Sequence, residues 1–169
     1  MRRRNDIMNY IYLDSNILIA YYSRVDSEAI KKSMVTDALE VFSKVKEVQL
    51  CTSDWSIAEM VNVLISNHKM ESSEVAEIES NLFNSGRIAS LKIKFIEVSP
   101  DKNYDFKEFF YSVRQGILKY HSGVGDIIHS VVMKNNNVVK ILTFDDKDDF
   151  KKIPDLIVLH PKIINVKKK

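Results

Sequence analysis

The strongest constraint on this chain is a change of hydrophobic period, repeated along its length. Short runs of β-branched and aromatic residues alternate with segments whose apolar residues recur every three or four positions. Tyr10-Ile11-Tyr12-Leu13 is the first run, and the polar Asp14-Ser15-Asn16 stops it. Val48-Gln49-Leu50-Cys51-Thr52, Lys94-Phe95-Ile96-Glu97-Val98, Val138-Val139-Lys140-Ile141-Leu142-Thr143-Phe144 and Leu156-Ile157-Val158-Leu159 follow. Such runs are too short for helices and read as buried strands. Parallel strands need long crossovers, usually helices, so strands alternating with helical segments predict a parallel sheet. The expectation is a three-layer α/β/α domain of the α/β class, with a mostly parallel central sheet of about five strands. The fourth run is solidly apolar and is expected at the centre, the fifth at an edge.

The segments between are helical. A short helix or turn is expected over 17–22. Ile30, Met34, Ala38, Val41 and Val45 form one apolar stripe at helical spacing. Ser53 and Asp54 are good N-caps for a helix to about residue 68, Ser72 or Ser73 for another that Gly86 ends. Phe106, Phe110, Val113 and Ile117 mark a helix over 104–120. The turn Ser122-Gly123-Val124-Gly125 then leads into a helix from Asp126 to about residue 134, and Asn135-Asn136-Asn137 is a turn.

Length and composition bound the rest. With 169 residues, 45% hydrophobic and 28% charged, the chain suits a single domain with its own core, with basic tails at about 1–8 and 162–169. The one cysteine excludes an internal disulfide and a cysteine-based zinc site. The apolar stretch over 11–22 is broken by Asp14, Ser15 and Asn16 and falls short of the ~20 residues of a membrane span. Arg2, Arg3 and Arg4 are not followed by a small-residue cleavage site, so the expected location is the cytoplasm. No dinucleotide fingerprint, phosphate loop, nucleophile elbow or helical zinc-binding histidine pair is present.

What remains is a set of carboxylates. In parallel sheets, ligands bind outside the carboxyl ends of the strands. Asp14 follows the first strand, and Asp145 and Asp146 follow the fourth. Asp126 opens a helix after a glycine turn, and Glu59 lies about two turns into the helix after the second strand. Taken singly, each has a plain explanation. Asp14 could cap a turn, Asp126 could be an N-cap, Glu59 could be solvated, and His129 could be a satisfied core histidine. Taken together, four carboxylates at one sheet edge need a counter-charge. A divalent cation with hard oxygen ligands, Mg2+ or Mn2+, supplies it, and phosphoryl transfer is the chemistry that uses such a site.

The ordered acids carry a resemblance. Asp14-Ser15-Asn16-Ile17-Leu18 after an apolar strand resembles the opening motif of the PIN domain family. Ser53, Glu59, Val61 and Leu64 are similar to its second motif, Asp126-Ile127-Ile128-His129 to its third, and Thr143-Phe144-Asp145 with Phe150 to its fourth. The resemblance covers residues from about 10 to 161. It implies a metal-dependent endoribonuclease acting on RNA, similar to the VapC toxins of toxin–antitoxin pairs or to PIN proteins that process RNA. Carried over, Asp14, Glu59 and Asp126 would bind metal and orient the attacking water, and Asp145 would complete the acidic cluster. Ser15 or Asn16 and Thr143 would support it by hydrogen bonds. The fourth motif is expanded to Asp145-Asp146-Lys147-Asp148-Asp149, so Asp146 or Asp148 stands open as the fourth acid. The resemblance further implies a homodimer and, for a toxin, a small antitoxin protein that blocks the site. The alternative is a catalytically inactive PIN-like module that binds RNA or a protein.

Overall fold

A computed structural model describes residues 9–99, 101, 103–145 and 150–164. Six strands form one sheet: β1 (Asn9–Leu13), β2 (Val48–Ser53), β3 (Arg87–Ile88), β4 (Leu91–Ile96), β5 (Lys140–Leu142) and β6 (Ile157–Leu159), in the order β3-β4-β2-β1-β5-β6. All pairings are parallel except β3 with β4. The strand beyond the five expected from the sequence is β3, a two-residue piece that turns back on β4. It is too short for a hydrophobic period to reveal.

Among the described residues six α-helices cover the sheet: α1 (Ser15–Tyr22), α2 (Ala29–Ser43), α3 (Asp54–Ser66), α4 (Ser72–Ser85), α5 (Phe106–Tyr120) and α6 (Val124–Asn135). Side chains alternate between the two faces of a strand, and here each face has its own core. Ile11, Leu13 and Leu50 pack with Leu18, Val35, Leu39, Met60 and Leu82 from the first four helices. Tyr12, Cys51 and Ile96 pack on the other face with Phe109, Val113, Ile127 and Val132 from α5 and α6. The three layers follow from this alternation. No helix among the described residues is long and apolar enough to cross a membrane.

Four expectations need correction. The central strands are β2 and β1; β5 lies one place in from the edge strand β6. A strand paired on both sides and covered on both faces is apolar wherever it lies, so apolarity does not encode position. In α2 the buried face is Val35, Ala38, Leu39 and Phe42, while Ile30 is exposed and Val45, exposed too, lies beyond the helix end. In α5 Phe109 and Val113 are buried, and Phe106 and Phe110 are exposed. Both helices carry apolar residues on more than one face, and tertiary contact selects between them. The caps fared unevenly: Ser53 does cap α3, accepting from the Ser56 N–H. Gly86 closes α4 in the left-handed conformation, but the residue before Ser72, Glu71, is that helix's N-cap. Residues 146–149, with the candidates Asp146 and Asp148, lie outside the described residues, as do 1–8 and 165–169 of the basic tails.

One close approach sets how α5 and α6 meet. A Cβ on Gly116 would lie 2.6 Å from Cγ2 of Ile127. Ile127 is fully buried, and its β-branched side chain has essentially one helical rotamer. Gly116→Ala should therefore destabilise the protein. The overpacking cost of about 1–3 kcal/mol outweighs the roughly 1 kcal/mol that alanine gains over glycine in a helix. Denaturant unfolding would show a lower midpoint with an unchanged slope; a raised midpoint would mean that α5 can shift away from Ile127.

Candidate functional site

The site begins where β1 and β5 end side by side. The register pairs Leu13 with Leu142, and the Asp14 N–H donates to the Leu142 carbonyl at 3.1 Å. The next residue on each strand is therefore Asp14 and Thr143, and their side chains meet. Asp14 caps α1: its Oδ1 accepts from the Ser15 N–H at 2.7 Å. Its Oδ2 accepts from Thr143 Oγ1 at 2.6 Å and from Asn16 Nδ2 at 2.8 Å. Asn16 also donates to Thr143 Oγ1, and its own Oδ1 accepts from the Phe144 N–H. These bonds tie the ends of β1 and β5 together around a carboxylate only 4% exposed.

The second carboxylate comes from α3. Glu59 lies one turn after Ser56 and is half-buried. It faces the first turn of α6, and a Cβ on Gly125 would stand 2.9 Å from its Oε1. Glycine at 125 is thus what admits this carboxylate.

Between the two acids lies His129, on α6 and 2% exposed. Its Nε2 is 2.8 Å from Glu59 Oε2 and 3.4 Å from Asp14 Oδ1. Its Nδ1 is 2.9 Å from the Tyr12 hydroxyl, which also bonds Ser53 Oγ at 2.5 Å and Ser56 Oγ at 2.9 Å. Tyr12 reaches across from the strand face opposite Leu13, so one strand supplies both the acid and the anchor of the histidine.

The charges follow from this geometry. Burial opposes ionisation of His129. The hydrogen bond to Glu59 and the negative charges of Asp14, Glu59 and Asp126 outweigh it and hold the imidazole above its ordinary pKa. Burial raises the Asp14 carboxyl, against the pull of His129, Thr143 and the Ser15 N–H. Glu59 also loses solvation, but its bond to the His129 charge and donors on Ser15 and Trp55 bring it below the usual value. The imidazolium is thus a built-in counter-charge for two carboxylates.

Asp14, Glu59 and His129 are the described residues whose ligand atoms all fall within 4.8 Å of one another. Asp126 and Asp145 are not in that group. Asp126 is in the first turn of α6, whose N-cap is Gly123, and lies one turn before His129, close enough for its charge to act on the imidazole. Asp145 donates its backbone N–H to Thr143 Oγ1 at 2.9 Å, joining the strand-end network through its main chain.

The model of the PIN domain matches residues 11–156. The chain belongs to the PIN domain family. Solved structures of toxin–antitoxin proteins share its fold. The VapBC2 structure from Rickettsia felis superimposes with a TM-score of 0.59 at 18% identity, covering 89% of this chain and 98% of that one. VapBC-1 from nontypeable Haemophilus influenzae gives 0.60 at 14% identity, covering 90% and 98%. VapC20 of Mycobacterium tuberculosis gives 0.55 at 10% identity, covering 85% and 95%. No curated protein sequence matches the chain.

In this PIN domain the donors of the tight group, among the described residues, are two carboxylates and an imidazole. The signal for His129 was its place one turn after Asp126, which sets both on one face of α6. Two carboxylates and a nitrogen at these separations suit a divalent cation in size and chemistry.

A pH dependence follows for the metal-free protein. His129 is raised above its ordinary 6.5, so its stabilising charge is full below that pH and is lost as pH rises through the folded value. The raised Asp14 works in the same direction; the lowered Glu59 stabilises above its ordinary 4.5 and is lost as pH falls. In EDTA, the melting temperature should peak in mild acid and fall toward alkaline pH, and His129→Gln should flatten the alkaline fall. A wild-type melting temperature that climbs steadily to pH 8 would contradict this charge arrangement.

Proposed function

We propose that this chain, as one PIN domain over its length, is a divalent-metal-dependent endoribonuclease and the toxin of a toxin–antitoxin pair. The observation that carries this reading is the buried Asp14 carboxylate, held by Thr143, Asn16 and Ser15 at the end of β1 and facing Glu59 and His129. Several proteins of the same fold are toxins of such pairs, and VapC20 is described as cleaving the sarcin–ricin loop. Their likeness supports the reading, which rests on the cluster itself.

Asp14, Glu59 and Asp126 would hold the cation, Mg2+ or Mn2+, with Asp145, or Asp146 or Asp148, completing the cluster as the fourth acid. The ion would supply charge neutralisation for the phosphodiester and activation of water. The chain's own residues do the positioning. Thr143 and Asn16 occupy Asp14 Oδ2, which leaves Oδ1 turned toward Glu59 and His129. Gly125 leaves room for the Glu59 carboxylate at the mouth of the site. Both acids are thereby pre-aimed at one point, so little reorganisation is needed when the scissile phosphate arrives. The partner would be a small antitoxin protein covering this site; a homodimer and a cytoplasmic location complete the proposal.

A second reading is a non-catalytic module that binds RNA or protein. One observation favours it: His129 lies between Asp14 and Glu59, where its imidazolium offsets part of their negative charge without a metal.

The two readings separate on purified protein. The nuclease reading expects cleavage of single-stranded RNA with Mn2+, leaving 5′-phosphate ends, abolished by EDTA. Asp14→Asn should lower the rate about 100- to 1,000-fold, the scale for losing a central electrostatic group. RNA binding without metal-dependent turnover would establish the module instead, and cleavage that survives Asp14→Asn would point to a contaminating nuclease.

A further inference from the structure

We infer that His129 is a metal ligand through Nε2, and that it makes this site select Mn2+-like transition ions over Mg2+. The inference rests on the metal-site reading above and adds to it the identity of a donor and of the preferred ion.

Three observations carry it. The first is distance. Adjacent ligands around a six-coordinate ion with bonds of about 2.1 Å sit roughly 3 Å apart. Nε2 lies 2.8 Å from Glu59 Oε2 and 3.4 Å from Asp14 Oδ1, the spacing of neighbouring ligands on one ion, and an ion taking that place displaces the Nε2 proton to solvent.

The second is that the ring has nowhere else to go. His129 is 2% exposed, edge-on to Tyr12 with ring centroids 5.6 Å apart, and flanked by Phe150 at 6.3 Å. A cation drawn between Asp14 Oδ1 and Glu59 therefore meets Nε2; the ring cannot swing into water to clear the place.

The third is the partner of the other nitrogen. A ligating histidine is usually oriented by a hydrogen bond on its second nitrogen, which fixes the tautomer. Nδ1 is bonded to the Tyr12 hydroxyl, itself held by Ser53 and Ser56. That hydroxyl is a buried anchor built for one ring orientation, the one that aims Nε2 at the carboxylates.

The ion preference follows from donor chemistry. Mg2+ is hard, prefers oxygen and gives up its waters reluctantly, whereas imidazole nitrogen suits the first-row transition ions. A carboxylate–carboxylate–imidazole set therefore gains more from Mn2+ than from Mg2+. The other three histidines stand at 68, 121 and 160, outside this group.

Pulsed electron paramagnetic resonance of the wild-type chain loaded with one equivalent of Mn2+ reads the bond directly. The expected result is nitrogen modulation of the imidazole type, lost in His129→Gln while the Mn2+ signal persists. Calorimetry should show Mn2+ bound at least about tenfold more tightly than Mg2+. Tyr12→Phe should weaken Mn2+ by about tenfold through the loosened ring and weaken Mg2+, which gains less from the nitrogen, by clearly less. A purely structural role for Tyr12 would weaken both ions equally and would count against the inference. Bound Mn2+ without nitrogen modulation, or modulation that survives His129→Gln, overturns His129 as ligand and leaves the metal site standing. Absence of Mn2+ binding to the wild type overturns the metal site and this inference together.

Discussion

The structure around the site depends on one buried negative charge. Asp14 sits where two parallel strands end, away from water, and a carboxylate there is costly unless it is hydrogen-bonded and balanced. Both conditions are met from several directions. Ser15 and Asn16 donate from the start of α1, Thr143 donates from the end of β5, and His129 brings positive charge from α6. Elements far apart in the chain are thus committed to the same few ångströms.

That commitment explains features that packing alone does not. Tyr12 is fully buried, yet its hydroxyl is partnered by Ser53, Ser56 and His129. A half-satisfied polar network in a core costs more than an apolar one, so each member constrains the others. Gly125 has the same logic in steric form, since any larger residue would press on Glu59. The β1 segment is consequently more than a central strand. Ile11 and Leu13 build one core, Tyr12 builds the other, and Asp14 ends the strand inside the site.

Much of the fold was legible because it follows from local periods. The alternation of strand and helix, the cap at Ser53 and the left-handed Gly86 all reflect chemistry within a few residues of each position. The errors came where two faces of one helix looked alike. Phe106 and Phe110 stand at helical spacing as convincingly as Phe109 and Val113, and only packing with the sheet and α6 buries the second pair. Within the candidate site, Asp14 was legible as a carboxylate at a strand end and Glu59 as one about two turns into the following helix. The part of His129 was not, because its spacing from Asp126 says that they share a face and not what that face meets.

The sequence by itself determined the class of fold, the strand ends at which chemistry could gather, and the acids available there. These are properties of hydrophobic period and residue type, which local physics reads. Only the tertiary structure decided which charges meet. The register of β1 against β5 set Asp14 beside Thr143, and the crossing of α3 by α6 set Glu59 against His129. Coulombic and hydrogen-bond energies fall off over a few ångströms, so residues 70 positions apart in sequence interact only once the folded chain has brought them into contact.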